Sequence, residues 1–129
     1  MIDVVILPET DLARLSRYEH EPLQGELARA IVVSDEAVPG DVVTMDSRVT
    51  YTDESTGVQR EVTIVYPAEA DGSQGRVSVL APVGTALLGL SAGQSIDWAF
   101  PDGRRRRLTV NAVLQSRPEG AMVEVRAAE

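Results

Sequence analysis

The apolar residues change period at a turn-rich stretch, "SDEAVPGD" (Ser34 to Asp41), and that switch limits what the chain can fold into. Beyond it the spacing is two. Val49 and Tyr51 align in "SRVTYTD", Val62, Ile64 and Tyr66 in "QREVTIVYP", and Val77 and Val79 in "GRVSVLA". Alternation of this kind puts side chains on one face of a half-buried strand. Ile96, Trp98 and Phe100 in "SIDWAF" repeat it, as do Leu108, Val110, Ala112 and Leu114 in "RRLTVNAVLQ", with "FPDGR" as the hairpin turn between them. "ESTG" and "EADGSQG" supply the other turns, and "AMVEVRA" reads as a final edge strand. The expectation is a mostly antiparallel sheet of about five strands.

Before the switch the pattern is helical. A short apolar run, Val4 to Leu7, precedes Pro8, and Thr10 or Asp11 supplies a helix start. Leu12 and Leu15 lie three apart, Pro22 interrupts, and Leu23, Leu27 and Ile31 recur at spacing four, with Gly25 weakening the second segment. Two short helices joined near "YEHEP" form a stubby antiparallel hairpin with linker over residues 1–40, followed by the sheet domain over 41–129. The class is α+β.

One stretch between strands, "LAPVGTALLGLSAGQSIDW" (Leu80 to Trp98), admits two readings. A phosphate cradle needs a GxxxxGK[ST] or GxGxxG pattern between strand and helix, and both are missing. Val83, Leu87 and Leu90 instead keep helical spacing after Pro82, a residue favoured at the first helical position, and Gly89 or Gly93 ends the helix. This is a core helix with a proline-led loop.

Composition narrows the function. In 129 residues, 43% hydrophobic and 25% charged, there is material for a real core and no apolar run of the roughly 18 to 20 residues a membrane span needs. With no basic leader, a cytoplasmic chain is expected. Cysteine is absent, which excludes disulfides, thiolate metal sites and a cysteine nucleophile. The net charge is −8, and the front is acidic: Met1 to Asp46 holds ten acids against three arginines, a local balance of −7. Every cation is arginine, and Arg104, Arg105, Arg106 and Arg107 form the one basic block. An acidic chain repels the DNA backbone, so a protein partner fits better than DNA. On a strand Arg104 and Arg106 face away from Arg105 and Arg107, which halves any basic patch; the block is either a solvated hairpin end or a contact for acidic protein or RNA.

Enzyme constellations do not assemble. His20 lies between Glu19 and Glu21 at the hairpin tip, where a solvated histidine is a simpler account than a metal site, since ligands usually come from separated positions. Asp35 and Glu36 have no companion acid or base, and Ser78, Ser91 and Ser95 have no activating motif. No catalytic residue, metal or cofactor is assigned.

"DVVTMDSRVTY", "VYPAEA" and above all "SVLAPVGTALLGLSAGQSIDWAFPDGRRRRLTVNAVLQ" resemble the C-terminal domain of bacterial Gre-type transcription elongation factors, within them the subgroup of regulators of nucleoside diphosphate kinase. The resemblance runs from about Asp41 to Gln115. It implies an FKBP-like fold docked on RNA polymerase at the rim helices of the secondary channel, with Ala81, Pro82, Val83 and Gly84 in the docking surface and Thr85 and Leu88 beside them. Cleavage factors of the family project a long coiled coil whose tip acids hold a metal ion. Here two helices share about 22 residues, so each arm reaches at most roughly 15 Å at 1.5 Å per residue, and the cleavage motif is not visible around Glu19 and Glu21. The expected function is a polymerase-binding regulator without cleavage stimulation, competing with Gre factors. A stand-alone adaptor is the alternative, and a small hydrolase or isomerase using a sheet–hairpin cleft a third.

Overall fold

The described chain opens on a strand. Ile6–Pro8 (β1) leads straight into helix Glu9–Leu15 (α1), a turn carries it into helix Glu21–Ala28 (α2), and Ile31–Val33 (β2) returns to lie parallel to β1, with Ile6 beside Ile31 and Pro8 beside Val33. The computed structural model describes residues 5–116 and 122–126.

Each element of this front has a local cause. Pro8 precedes α1 without a capping side chain, and Asp35 supplies the cap from a distance: its carboxylate accepts the Thr10 N–H at 3.1 Å and also the Thr10 hydroxyl. This satisfies one of the donors a helix start leaves open. Pro22 does not interrupt a helix. It stands in the first turn of α2, where a missing N–H costs nothing. Ile31 does not continue the α2 stripe either. It lies on β2, 54% exposed, because the helix closes with Ala30 donating to Leu27 while the Ile31 N–H goes to the Val5 carbonyl at 2.7 Å. The β-branched run Ile-Val-Val favours that outcome.

The main sheet comprises Arg48–Asp53 (β3), Val58–Val65 (β4), Arg76–Ser78 (β5), Ser95–Ala99 (β6), Arg105–Ser116 (β7) and Met122–Arg126 (β8), with helix Pro82–Leu87 (α3) between β5 and β6. Its order is β5-β4-β3-β7-β6, and β8 also pairs with β7. One edge of β7 meets β3 over 108–114, so β6, on 105–109, and β8, on 112–116, succeed each other along the opposite edge. The turns at Gly57 and Gly103 take positive φ and make the two expected hairpins.

Two sheet details depart from simple alternation. First, β5 is parallel to β4, Thr63 beside Arg76, because the segment between them runs through short 3-10 turns at Pro67–Glu69 and Gly72–Gln74 and reverses the chain before pairing. Second, Ala112 and Leu114 do not share the core face with Leu108 and Val110. Thr50 pairs with Ala112 but Tyr51 with Val110, leaving Asn111 as an extra residue, and the bulge hands the inward position to Val113. Asn111 is held on the other face by the Thr52 hydroxyl at 2.8 Å and the Gln59 amide at 3.3 Å.

A single buried cluster joins Leu7, Leu15 and Leu23 of the front to Val49, Ile64, Ile96, Leu108 and Val110 of the sheet, with Ala86, Leu87 and Leu88 of the α3 region between them. Gly84 permits this. A methyl group there would overlap the Ser78 carbonyl and stand 3.0 Å from the Val79 Cα, both backbone. Gly84→Ala is therefore expected to cost about 1–3 kcal/mol by overpacking. Gly25 on α2 has open space around its Cβ position, and Gly25→Ala should add about 0.5–1 kcal/mol through helix propensity. Urea unfolding of the two variants measures both.

Candidate docking groove

The loop ahead of α3 takes its shape from the helix and from the turn that ends it. Ala81 is extended, Pro82 fixes the first helical φ, and Thr85 turns its hydroxyl inward to donate to the Val79 carbonyl at 2.6 Å. After Leu88 the chain reverses at Gly89, φ +83, whose N–H bonds the Val43 carbonyl and whose missing side chain leaves room for Val5. A positive-φ glycine just past the helix is the common way to end one. The glycines of this stretch pack and terminate a helix, and the loop in front of it stands at the surface.

Of the six residues that the family resemblance implies in partner contact, Ala81, Pro82 and Val83 are half-buried and accessible. Gly84, Thr85 and Leu88 are buried, Thr85 and Leu88 completely, and act on the loop by fixing α3 against the sheet. Beside the loop lies a groove of about 470 Å³. Leu80, Pro82 and Thr85 form one side, Trp98, Phe100 and Pro101 of the β6–β7 hairpin another, and His20 and Pro22 of the α1–α2 turn a third. Alternation had placed Trp98 and Phe100 on the core face of β6. That face outruns the core, so the two rings emerge next to Pro82. His20 and Pro22 carry no such signal, since their place depends on the front folding back across the α3 end of the sheet.

Glu19 and Glu21 flank His20 and are exposed. The His20 Nδ1 is buried and has no hydrogen-bond partner among the described residues. At the hairpin, the arginine block splits as strand alternation requires. The Arg106 guanidinium lies 4.8 Å from the Phe100 ring centroid, a cation–π distance, and pairs with Asp102 at 3.1 Å and Asp53 at 3.7 Å. Arg107 faces the other way, to Asp97 at 3.4 Å. Among the described residues Arg104 and Arg105 have no carboxylate within ion-pair distance. Ser95 is spent on Thr109 and Ser78 on the Leu80 N–H, and no three acids or histidines gather as metal ligands among the described residues. Asp35 is occupied as the α1 cap.

The model for the C-terminal domain of GreA/GreB transcription elongation factors matches residues 37–115. The chain belongs to the Gre family of transcription elongation factors. The regulator of nucleoside diphosphate kinase from Escherichia coli K12 is 48% identical over 101 residues, covering 78% of this chain and 74% of that protein. GreA of Azorhizobium caulinodans is 35% identical over 95 residues, 74% of this chain but 60% of its own length. Among solved structures, a GreA/GreB elongation factor from Nitrosomonas europaea is 38% identical, with a TM-score of 0.64 over 84% of this chain and 96% of that one.

In this Gre-family chain polar and aromatic contacts hold the front against the sheet and so fix the groove's third wall. The Asp11 carboxylate accepts the Met45 N–H at 2.9 Å. Tyr18, in the turn between α1 and α2, stacks on Tyr66 with centroids 6.5 Å apart. Burial, with the Asp11 charge nearby, pushes the Tyr66 hydroxyl up to about 12, so it stays neutral. Burial also raises Asp11 above the ordinary 3.8, against the lowering effect of the Met45 bond, and Asp35 and Asp46 add to the rise. A carboxyl raised on folding binds its proton more tightly in the folded state, so its contribution to stability grows as pH falls through the raised value and is complete below 3.8. In urea titrations the stability of the parent relative to Asp11→Asn should become more favourable as pH is lowered from 7 toward 3.8; a flat difference would contradict the burial of this charge.

Proposed function

We propose that this chain is a non-enzymatic transcription regulator that binds RNA polymerase at the rim of its secondary channel and does not stimulate transcript cleavage. The carrying observation is the loop Ala81–Val83, presented at the surface on a helix whose Gly84 and Thr85 are locked to the sheet backbone. A preformed loop on a rigid support binds without a large ordering cost. The helix packed against the sheet supports an FKBP-like reading of the fold, serving as a scaffold and not as a prolyl isomerase. With α1 of seven residues and α2 of eight, each arm is about 10–12 Å long at 1.5 Å per residue. Glu19 and Glu21 at that turn lie beside the docking loop and cannot extend to a distant active centre. The regulator therefore occupies the rim and competes with cleavage factors, and any effect on nucleoside diphosphate kinase is exerted through gene expression in the cytoplasm.

Interferometry on immobilised Escherichia coli core RNA polymerase tests this, with GreA as competitor and cleavage of stalled transcripts measured in parallel. The expected result is mutually exclusive binding, no cleavage stimulated by this chain, and reduced cleavage by GreA in its presence. Pro82→Asp should weaken binding by roughly tenfold or more, the size of an anchor loss of at least 1.4 kcal/mol. Absence of binding at moderate salt would overturn the reading and leave the loop to another protein.

A further inference from the structure

We infer that the outer edge of β2 is a self-association surface: two copies of this chain pair their β2 strands antiparallel about Val32, joining two two-stranded ladders into one four-stranded sheet. The ladder leaves the bonding groups for it. Among the described residues β2 pairs with β1 alone, and the Ile31 N–H is taken by the Val5 carbonyl at 2.7 Å. Along a strand the residues that bond one neighbour alternate, so Ile31 and Val33 face β1 while the Val32 N–H and C=O face outward. A donor and an acceptor on one residue suit a symmetric pair, in which each Val32 gives its N–H to the carbonyl of the other. The side chains agree. Ile31 is 54% and Val32 41% exposed, and successive strand residues point to opposite faces, so this edge is apolar and wet on both. Edge strands are commonly blunted by a charge, a proline or a bulge, and Ile31, Val32 and Val33 carry none of these. About Val32 as the centre, Ile31 meets Val33 of the second copy on one face and Val32 meets Val32 on the other, cross-strand pairs of β-branched residues.

Charge fixes the direction. Arg29 stands three residues before Val32 and Asp35 three after it, with Glu36 next, all exposed. Antiparallel pairing brings Arg29 of each copy toward Asp35 and Glu36 of the other, whereas parallel pairing sets like charges side by side. Arg29 also holds Glu26 at 2.7 Å and Asp35 also caps α1, which leaves Glu36, without an ion pair among the described residues, as the main acid offered to the second copy. Three strand residues a side, against the roughly 20–30 of a stable interface, make a transient dimer that fills at high protein concentration. No residue of β2 lines the groove beside Pro82, so this surface and the docking loop stand or fall separately.

Sedimentation equilibrium of the full chain from micromolar to millimolar protein, with amide hydrogen exchange read by NMR across the same range, tests the pairing. The average mass should rise from 13.9 kDa toward twice that value and no further. Exchange at the Val32 amide should slow as concentration rises, while the Ile31 and Val33 amides, already facing β1, change far less. Val32→Lys, and Val32→Pro, which removes only the outward donor, should each weaken association by roughly tenfold or more. Glu36→Arg should weaken it less, and only at low salt. The thermal midpoint of Val32→Lys should match the parent, since that side chain lies at the surface; should Val32→Pro fail to fold, Val32→Lys and the amide exchange decide. A mass that stays at 13.9 kDa up to millimolar protein overturns the inference. So does association that Val32→Lys leaves intact with the Val32 amide exchanging freely, which places the contact on another face.

Discussion

The fold turns on one approach of backbone to backbone: α3 at Gly84 rests on the carbonyl of Ser78 and the Cα of Val79, with the Thr85 hydroxyl bonded to the Val79 carbonyl. Because no side chain separates them, α3 sits low enough for Leu87 and Leu88 to reach the sheet core, and the proline-led loop is left where β5 ends. Gly89 then turns the chain so that Val5 and β1 close over it, and the Ile6 N–H bonds the Gly89 carbonyl. One short helix thus ties the front to the sheet and sets the height of the loop above it.

The front itself is held mainly by distant partners and only partly by its own propensity. Seven- and eight-residue helices are too short to persist alone. Asp35 caps α1, Asp11 reaches Met45, Tyr18 covers Tyr66, and Leu15 and Leu23 enter the common core. Packing supplies what nucleation cannot. The raised Asp11 reflects this arrangement, since a carboxyl that joins two parts of a core gives up hydration to do so.

Much of the sheet was legible because alternation reports directly on which face is buried: Val49 and Tyr51, Ile64, Ile96 and Leu108 all lie where period two places them. Alternation fails where register changes. Nothing local marks Asn111 as an extra residue, so Val113 replaced Ala112 and Leu114 on the inner face. Nor does it report strand direction, which left β5 parallel against expectation. In the front, spacing four carried Ile31 into a helix that had already ended at Ala28, and Pro22 was read as a break when it is a start. At the candidate site Pro82 and its loop were visible as a motif. Trp98 and Phe100 were visible only as sheet residues, and His20 only as a solvated turn, because the groove is made by the meeting of three segments far apart in the chain.

The parallel pairing of β1 with β2 pins both feet of the helical excursion side by side, a base that does not depend on how far the helices run. Whole turns added to α1 and α2 together would leave that base and the sheet untouched, yet would carry His20 and Pro22 away from Pro82. Reach and enclosure are thus alternatives within one architecture: an extended arm gives up the wall of the groove, and a retracted one completes it. The arm length sets a geometric choice between reach and a closed groove.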